Sequence, residues 1–399
     1  MASFSYLPSE IVMQIADYLD DYDMFTAPEM DHRAVLKNRQ AGMAKFCLVN
    51  RQWYAVGISK LYCRPFLSSG NSFQQFLQTI CPNAKNKALD RSDLGSLIYH
   101  LDLGNLVHHS SNSKTGRLIN KARNLRFMIA PRYSFSVNSL APLSKCSEMK
   151  ILDLSRVSSS GITFPTLKNT ISKLKKLWCL SLPVSVPLTP TIQNTTGYPG
   201  PWPESLTNMT ISGDIDARTM ERFEWPPKLH TLKISLARGL TNAIIDSILY
   251  SPGVQRGLED FTIESNCTYA SVGQFEEVST SVMYELAFLD RVKIPCDMAR
   301  FFGMLGTSQM PMDFKALSLG EPADGDGDYV DPDLGEDVIL SLELGPLCEI
   351  WGLTLPPSFM QEYHLEREEI DDVIMSHLDD VSDEELDEWP ALPGLSVRR

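Results

Sequence analysis

The feature that most constrains this chain is a short apolar pattern that recurs ten times. An apolar residue is followed by two variable ones, an apolar one, one variable and a last apolar one. It stands as Ile98-Leu101-Leu103, Met149-Leu152-Leu154, Leu177-Leu180-Leu182, Leu206-Met209-Ile211 and Leu229-Leu232-Ile234. It continues as Leu258-Phe261-Ile263, Leu289-Val292-Ile294, Phe314-Leu317-Leu319 and Ile350-Leu353-Leu355, with a weaker copy at Leu125-Met128-Ala130. Successive starts lie 23 to 36 residues apart, most of them between 23 and 29. The alternation at the end of each copy suits a short strand with its apolar residues on one side. A unit this short cannot bury its own apolar face. Units stacked in order, with strands paired in parallel, bury one continuous core.

The spacing and pattern resemble leucine-rich repeats, in an irregular form familiar from fungal proteins. The Asn or Cys that follows the strand in tidier families is missing after most copies. The resemblance implies an α/β solenoid over residues 67–357, with a parallel sheet on its concave face and return segments on the convex side. Ala243-Ile244-Ile245-Asp246-Ser247-Ile248-Leu249 reads as the clearest helical return. Trp202-Pro203-Glu204-Ser205-Leu206 and Trp225-Pro226-Pro227-Lys228-Leu229 are 23 residues apart and nearly superpose. Proline there suits an extended lead into a strand, not a helix interior. The Ser/Asn/Lys-rich stretch 104–116, with His108-His109, reads as a repeat-edge loop.

Ahead of the repeats lies a split pattern. Leu7, Ile11, Ile15 and Leu19 recur every four residues, flanked by Val12 and Ala16, which makes one stripe of a helix. Pro8 suits a first helical position and Glu10 the first turn. Asp20, Asp21 and Asp23 end the pattern. The second half runs through Phe46, Leu48, Val49, Trp53, Tyr54, Val56, Ile58 and Leu61, close to helical spacing. Together the halves carry more apolar surface than a lone hairpin buries.

Leu7-Pro8-Ser9-Glu10-Ile11 followed by Leu48-Val49-Asn50-Arg51-Gln52-Trp53-Tyr54 resembles the F-box, by which receptor subunits of Skp–cullin–F-box ubiquitin ligases bind their Skp adaptor. The resemblance implies an F-box-like helical module over residues 1–66. Leu7, Pro8, Ile11, Ile15, Leu19, Leu48, Val49 and Trp53 would then form its adaptor-facing and hairpin-core surface, two roles the sequence does not separate. Pro8 to Leu48 is 40 residues, longer than the family pattern. The excess lies at about 20–45, as a loop between helices or as a change that weakens adaptor binding.

The net charge of −14 is unevenly spread. Residues 321–337 hold eight acids and no Lys or Arg, and residues 358–399 hold thirteen acids against three basic residues. The remainder carries about +4. Such runs are usually solvated. The tail reads as a capping helix over 366–378 and disorder beyond, with Ser382-Asp383-Glu384-Glu385 as an acid-directed kinase site. No stretch of basic residues interleaved with aromatics occurs along the sequence, so no nucleic-acid partner is expected. No run of about 18 apolar residues and no secretory pattern is seen, so neither membrane insertion nor export is expected. That points to a cytoplasmic or nuclear, reducing compartment, where the eight scattered cysteines are free thiols and Asn194, Asn208 and Asn266 are chance sequons.

No known nucleophile elbow, zinc-protease helix or phosphate loop is present. Asp324-x-Asp326-x-Asp328 imitates a calcium loop, but Tyr329 takes the glycine position and Gly335 the place of the last acid. No metal, cofactor or catalytic set is expected. The resemblance implies a non-catalytic receptor, joined through a Skp-type adaptor to a cullin and holding an unidentified target protein. The target would lie on the variable strand positions Asp102, Asp153, Ser181, Thr210, Lys233, Thr262, Lys293, Ser318 and Thr354. Asp102, Asp153, Lys233 and Lys293 are its charged candidates, and the two lysines hint at an acidic target. The alternatives are a repeat scaffold that joins no ligase and an enzyme with an unfamiliar site.

Overall fold

The computed structural model describes residues 7–25, 32–82, 93–106, 112–158, 161–188, 200–255, 257–264, 266–268, 289–295 and 316–320. The tenth repeat copy, the acidic stretches 321–337 and 358–399, Ser382, His108-His109, the Asp324 motif and Thr354 lie outside them. The chain is α/β with parallel strands. It divides into two compact units, Met1–Ser185 with Pro199–Leu206 and Val186–Tyr198 with Thr207–Arg399.

The first unit opens with helices α1 (Ser9–Phe25), α2 (His32–Cys47), α3 (Arg51–Cys63) and α4 (Gly70–Ile80). Residues 20–25 and 32–45 of the expected excess are therefore helical: they complete α1 and form most of α2. The aspartates do not end α1, because Asp20 is held by Arg39 of α2 through a 2.5 Å hydrogen bond. The second half of the split pattern is not one helix either. It breaks at Asn50, whose side chain accepts from the Trp53 N–H at 3.0 Å and caps α3.

Strands β1 (His100–Asp102), β2 (Phe127–Ile129), β3 (Ile151–Asp153) and β4 (Cys179–Ser181) follow, with α5 (Asn112–Lys121), α6 (Val137–Leu143) and α7 (Phe164–Ile171) between them. Consecutive strands pair in parallel and keep the repeat register, Leu101 beside Met128, Leu152 and Leu180. All four of those side chains are fully buried, as are Leu103, Leu154 and Leu182 one step on. Each such burial stabilises by roughly 1.5–3 kcal/mol. α5 corrects the expected loop at 104–116, since helix begins at Asn112. Its buried Thr115, Leu118 and Ile119 face the interior. Gly116 lets α6 come close: a Cβ there would stand 2.9 Å from the Asn138 carbonyl oxygen.

In the second unit β5 (Asn208–Asp214), β6 (Thr231–Arg238), β7 (Asp260–Ile263), β8 (Arg291–Pro295) and β9 (Ala316–Gly320) pair in sequence order, again in parallel. Met209, Leu232, Phe261 and Val292 continue the buried ladder. α8 (Ala217–Glu221), α9 (Asn242–Leu249) and α10 (Pro252–Gln255) are its described returns. α9 covers the helix expected at 243–249, capped by the Thr241 side chain. The Trp-Pro segments are non-helical as expected, and both tryptophans are buried.

Candidate functional site

Helices α1, α2 and α3 close around a small core of Val12, Ala16, Met43 and Phe46. Ile15, Leu19, Trp53, Val56 and Leu61 pack against it. The Trp53 ring lies 4.6 Å from the Phe46 ring, centroid to centroid. Polar bonds lock the far side. Arg39 is buried, and its guanidinium donates to Asp20 and to the carbonyl oxygens of Arg64 and Lys60. Lys60 in turn pairs with Asp17. A buried guanidinium that meets three acceptors fixes the helices in one arrangement.

The two roles left mixed in the sequence now separate. Ile15, Leu19 and Trp53 belong to the hairpin's own packing. Leu7, Pro8, Ile11, Leu48 and Val49 are exposed, Leu48 at 84% and Val49 at 56%. Leu48 and Val49 stand out because they occupy the turn between α2 and α3 instead of a helix face. Gln52 Nε2 donates to the Leu7 carbonyl oxygen at 2.5 Å, which ties the start of α1 to the start of α3. That bond gathers Leu7, Ile11, Leu48, Val49 and the exposed Tyr54 at one end of the module. Gln52 and Arg39 were not among the sequence candidates; the four-residue steps Val35, Arg39 and Met43 are the signal that would have placed Arg39 on α2's inner stripe.

The strand candidates have local occupations. Asp102 Oδ1 accepts from the Gly104 N–H and Asp153 Oδ1 from the Ser155 N–H, each at 2.9 Å. Both close the turn after their strand. Lys233 is ion-paired with Glu264. Burial alone would raise the Glu264 carboxyl, but hydrogen bonds from Lys233, Ser235 and Asn266 outweigh it and hold it below its usual range. Arg291 grips Asp260 with two 2.6 Å bonds. Lys293 is exposed and sits beside Thr262 and Ser318 in the register. Lys233 is thus already neutralised within the sheet, which leaves Lys293 as the cation of that pair without an ion pair among the described residues.

A pocket of about 410 Å³ opens between the helical module and the first strands, lined among others by Leu36, Arg64, Phe66, His100, Asp102 and Phe127. His100 stacks on Phe127 with centroids 3.9 Å apart. Burial, with the positive charges of Arg64 and Arg39, pushes the His100 imidazole down to about 4, so it is neutral at pH 7. The Cys146 thiol is buried and pushed up to about 11, which makes it inert. Among the described residues no three His, Cys, Asp or Glu side chains gather as a metal site, and no helix is long and apolar enough to cross a membrane.

No family model matches the chain. Two curated fungal proteins are similar to it. One is the F-box protein YDR306C of Saccharomyces cerevisiae, 32% identical over 253 residues, or 62% of this chain and 49% of that protein. The other is protein pof5 of Schizosaccharomyces pombe, 29% identical over 248 residues, or 62% of each. The match therefore spans about half to three-fifths of the length of these relatives.

Proposed function

We propose that this chain is a substrate receptor of a Skp–cullin–F-box ubiquitin ligase, working in the cytoplasm or nucleus. In this reading α1–α3 are an F-box that docks the Skp adaptor, and through it a cullin. The parallel strands and their returns are an irregular leucine-rich-repeat solenoid that carries the target protein. The chain performs no chemistry of its own. It raises the effective concentration of target lysines near a charged ubiquitin-transfer enzyme.

The observation that carries the reading is the exposed apolar end of a module whose core is already filled. Leu7, Ile11, Leu48, Val49 and Tyr54 are left outside while Val12, Ala16, Met43 and Phe46 are closed in. A small module that leaves several large apolar side chains in water at one end offers a surface for a protein partner. The resemblance of these residues to the F-box and the name of the Saccharomyces relative support the same partner. A second reading, a repeat scaffold outside any ligase, draws on the length between the two halves of the motif, which α2 fills with helix.

Co-purification tests the choice. Tagged wild-type chain is expected to bring down the Skp adaptor, and the Leu7→Ala/Pro8→Ala variant is expected to bring down much less. Wild-type chain that recovers target proteins but no adaptor selects the scaffold.

A further inference from the structure

The linear sequence contains no basic stripe, but the fold assembles one at the edge of the first unit. Each turn that leads into β2, β3 and β4 contributes cations. Arg123 and Arg126 precede β2, Lys145 and Lys150 precede β3, and Lys173, Lys175 and Lys176 precede β4. All seven are exposed. The buried rungs Leu125, Met149 and Leu177 lie among them and fix each turn against the core. The turns are adjacent in space. The Arg126 N–H donates to the Tyr99 carbonyl oxygen, Lys150 N–H to that of Arg126 and Trp178 N–H to that of Lys150, at 2.8, 2.7 and 3.0 Å. Neighbouring rows are therefore about 4.8 Å apart, and three rows span about 10 Å.

One acid stands in these turns. Glu148 bonds Lys176, whose hydrogen bond holds the carboxyl below its usual range. The Arg126 guanidinium lies 4.8 Å from the centre of the Tyr99 ring. Arg123, Lys145, Lys150, Lys173 and Lys175 make no ion pair among the described residues. Five like charges on three adjacent rows repel one another, and an anionic occupant relieves that repulsion.

We propose that this edge binds a short Asp/Glu-rich segment of the target protein. The inference rests on the receptor reading above and gives the target its chemistry. Three observations favour a short acidic peptide over a nucleic acid. At about 3.3 Å per residue, 10 Å accommodates three to four residues of an extended peptide. Five of the seven cations are lysines, which act as point charges and lack the planar fork that reads phosphate. Outside the seven cations, Glu148 and the acidic stretches 321–337 and 358–399, the chain carries about −2. A long polyanion therefore finds no further net positive charge beyond the edge, whereas a short segment stays within the screening length of about 8 Å.

The test uses the full chain and a fluorescein-labelled short polyglutamate peptide, read by fluorescence anisotropy at low ionic strength. Wild type is expected to bind, and Lys150→Glu/Lys173→Glu/Lys175→Glu to bind at least about tenfold more weakly with an unchanged melting temperature. The inference is overturned if wild type does not bind, if the variant binds as well as wild type, or if an oligothymidylate of matching length binds more tightly than the peptide. Adaptor binding is measured on the same preparations. A chain that binds adaptor but not peptide overturns this inference alone. One that binds peptide but not adaptor overturns the receptor reading and leaves the acidic-segment site standing.

Discussion

The strand ladder and the helical module treat apolar residues in opposite ways. Along β1–β4 every ladder position is sealed: Leu101, Met128, Leu152 and Leu180 have no exposed surface. In the module a complete core coexists with Leu48 at 84% exposure. Poor packing does not explain the second case, because the Trp53 ring packs tilted against Phe46 and the Arg39 guanidinium meets three acceptors. The exposed apolar residues lie beside a core that is already closed, which is the contrast the receptor reading draws on. The ladder is where this chain stores stability, and the tip of the module is where the proposed receptor reading places contact with another protein.

Breaking the ladder produces the largest effect. Leu152→Ala removes a fully buried side chain between two neighbouring rungs. It is expected to cost about 2–5 kcal/mol of unfolding free energy, measured by chemical denaturation. Adaptor binding by the remaining folded molecules is expected to stay unchanged, which separates the two regions. A Leu152→Ala chain as stable as wild type would show that the ladder is not the main store of stability.

The junction between the regions responds to pH. Half-buried, and beside the positive charges of Arg64 and Arg39, His100 has its pKa pushed down to about 4 in the folded chain, against an ordinary 6.5. The unfolded chain therefore binds more protons between those values. The His100 contribution is complete above pH 6.5 and is lost as pH falls towards 4. With a discount for the part of the ring that meets solvent, the loss is on the order of 2 kcal/mol. His100→Phe keeps a ring on Phe127 but carries no proton. Its stability is expected to fall less steeply between pH 7 and pH 4, as denaturation at several pH values would read. Equal slopes for the two chains would remove His100 as the cause.

The two regions also differed in how legible they were. The ladder could be read because each copy is local and the same three positions recur, so nine strands lie at copies marked in the sequence. α5 was hidden because Asn112-Ser113-Lys114 begins it with polar residues that look like a loop. α2 was hidden because Arg39 interrupts an otherwise apolar stripe of Val35, Met43 and Phe46, and only its bond to Asp20 explains an arginine there. Among the site residues, Leu7, Ile11, Leu48 and Val49 were readable as apolar, but their exposure was not. For Leu48 and Val49 it follows from the Asn50 cap, which sets them in the turn before α3. Asp102 and Asp153 looked like surface candidates because a turn-closing role depends on the backbone N–H two residues on. The basic edge escaped because its residues come from three separate turns between positions 123 and 176. Only parallel register brings them together.

The smallest expected effect on stability accompanies the largest on binding. Leu48→Glu/Val49→Glu alters two side chains that lie in a surface turn and contribute little to the module's core. Surface changes of this kind shift stability by about 0.5 kcal/mol or less. Two charges in a desolvated interface, by contrast, are expected to weaken association at least about a hundredfold. The decisive measurement is the dissociation constant of purified Skp adaptor for wild-type and Leu48→Glu/Val49→Glu chains, by calorimetry, with melting temperatures taken on the same samples. The account predicts equal melting temperatures with adaptor binding lost in the variant. Equal affinities for the two chains would contradict it.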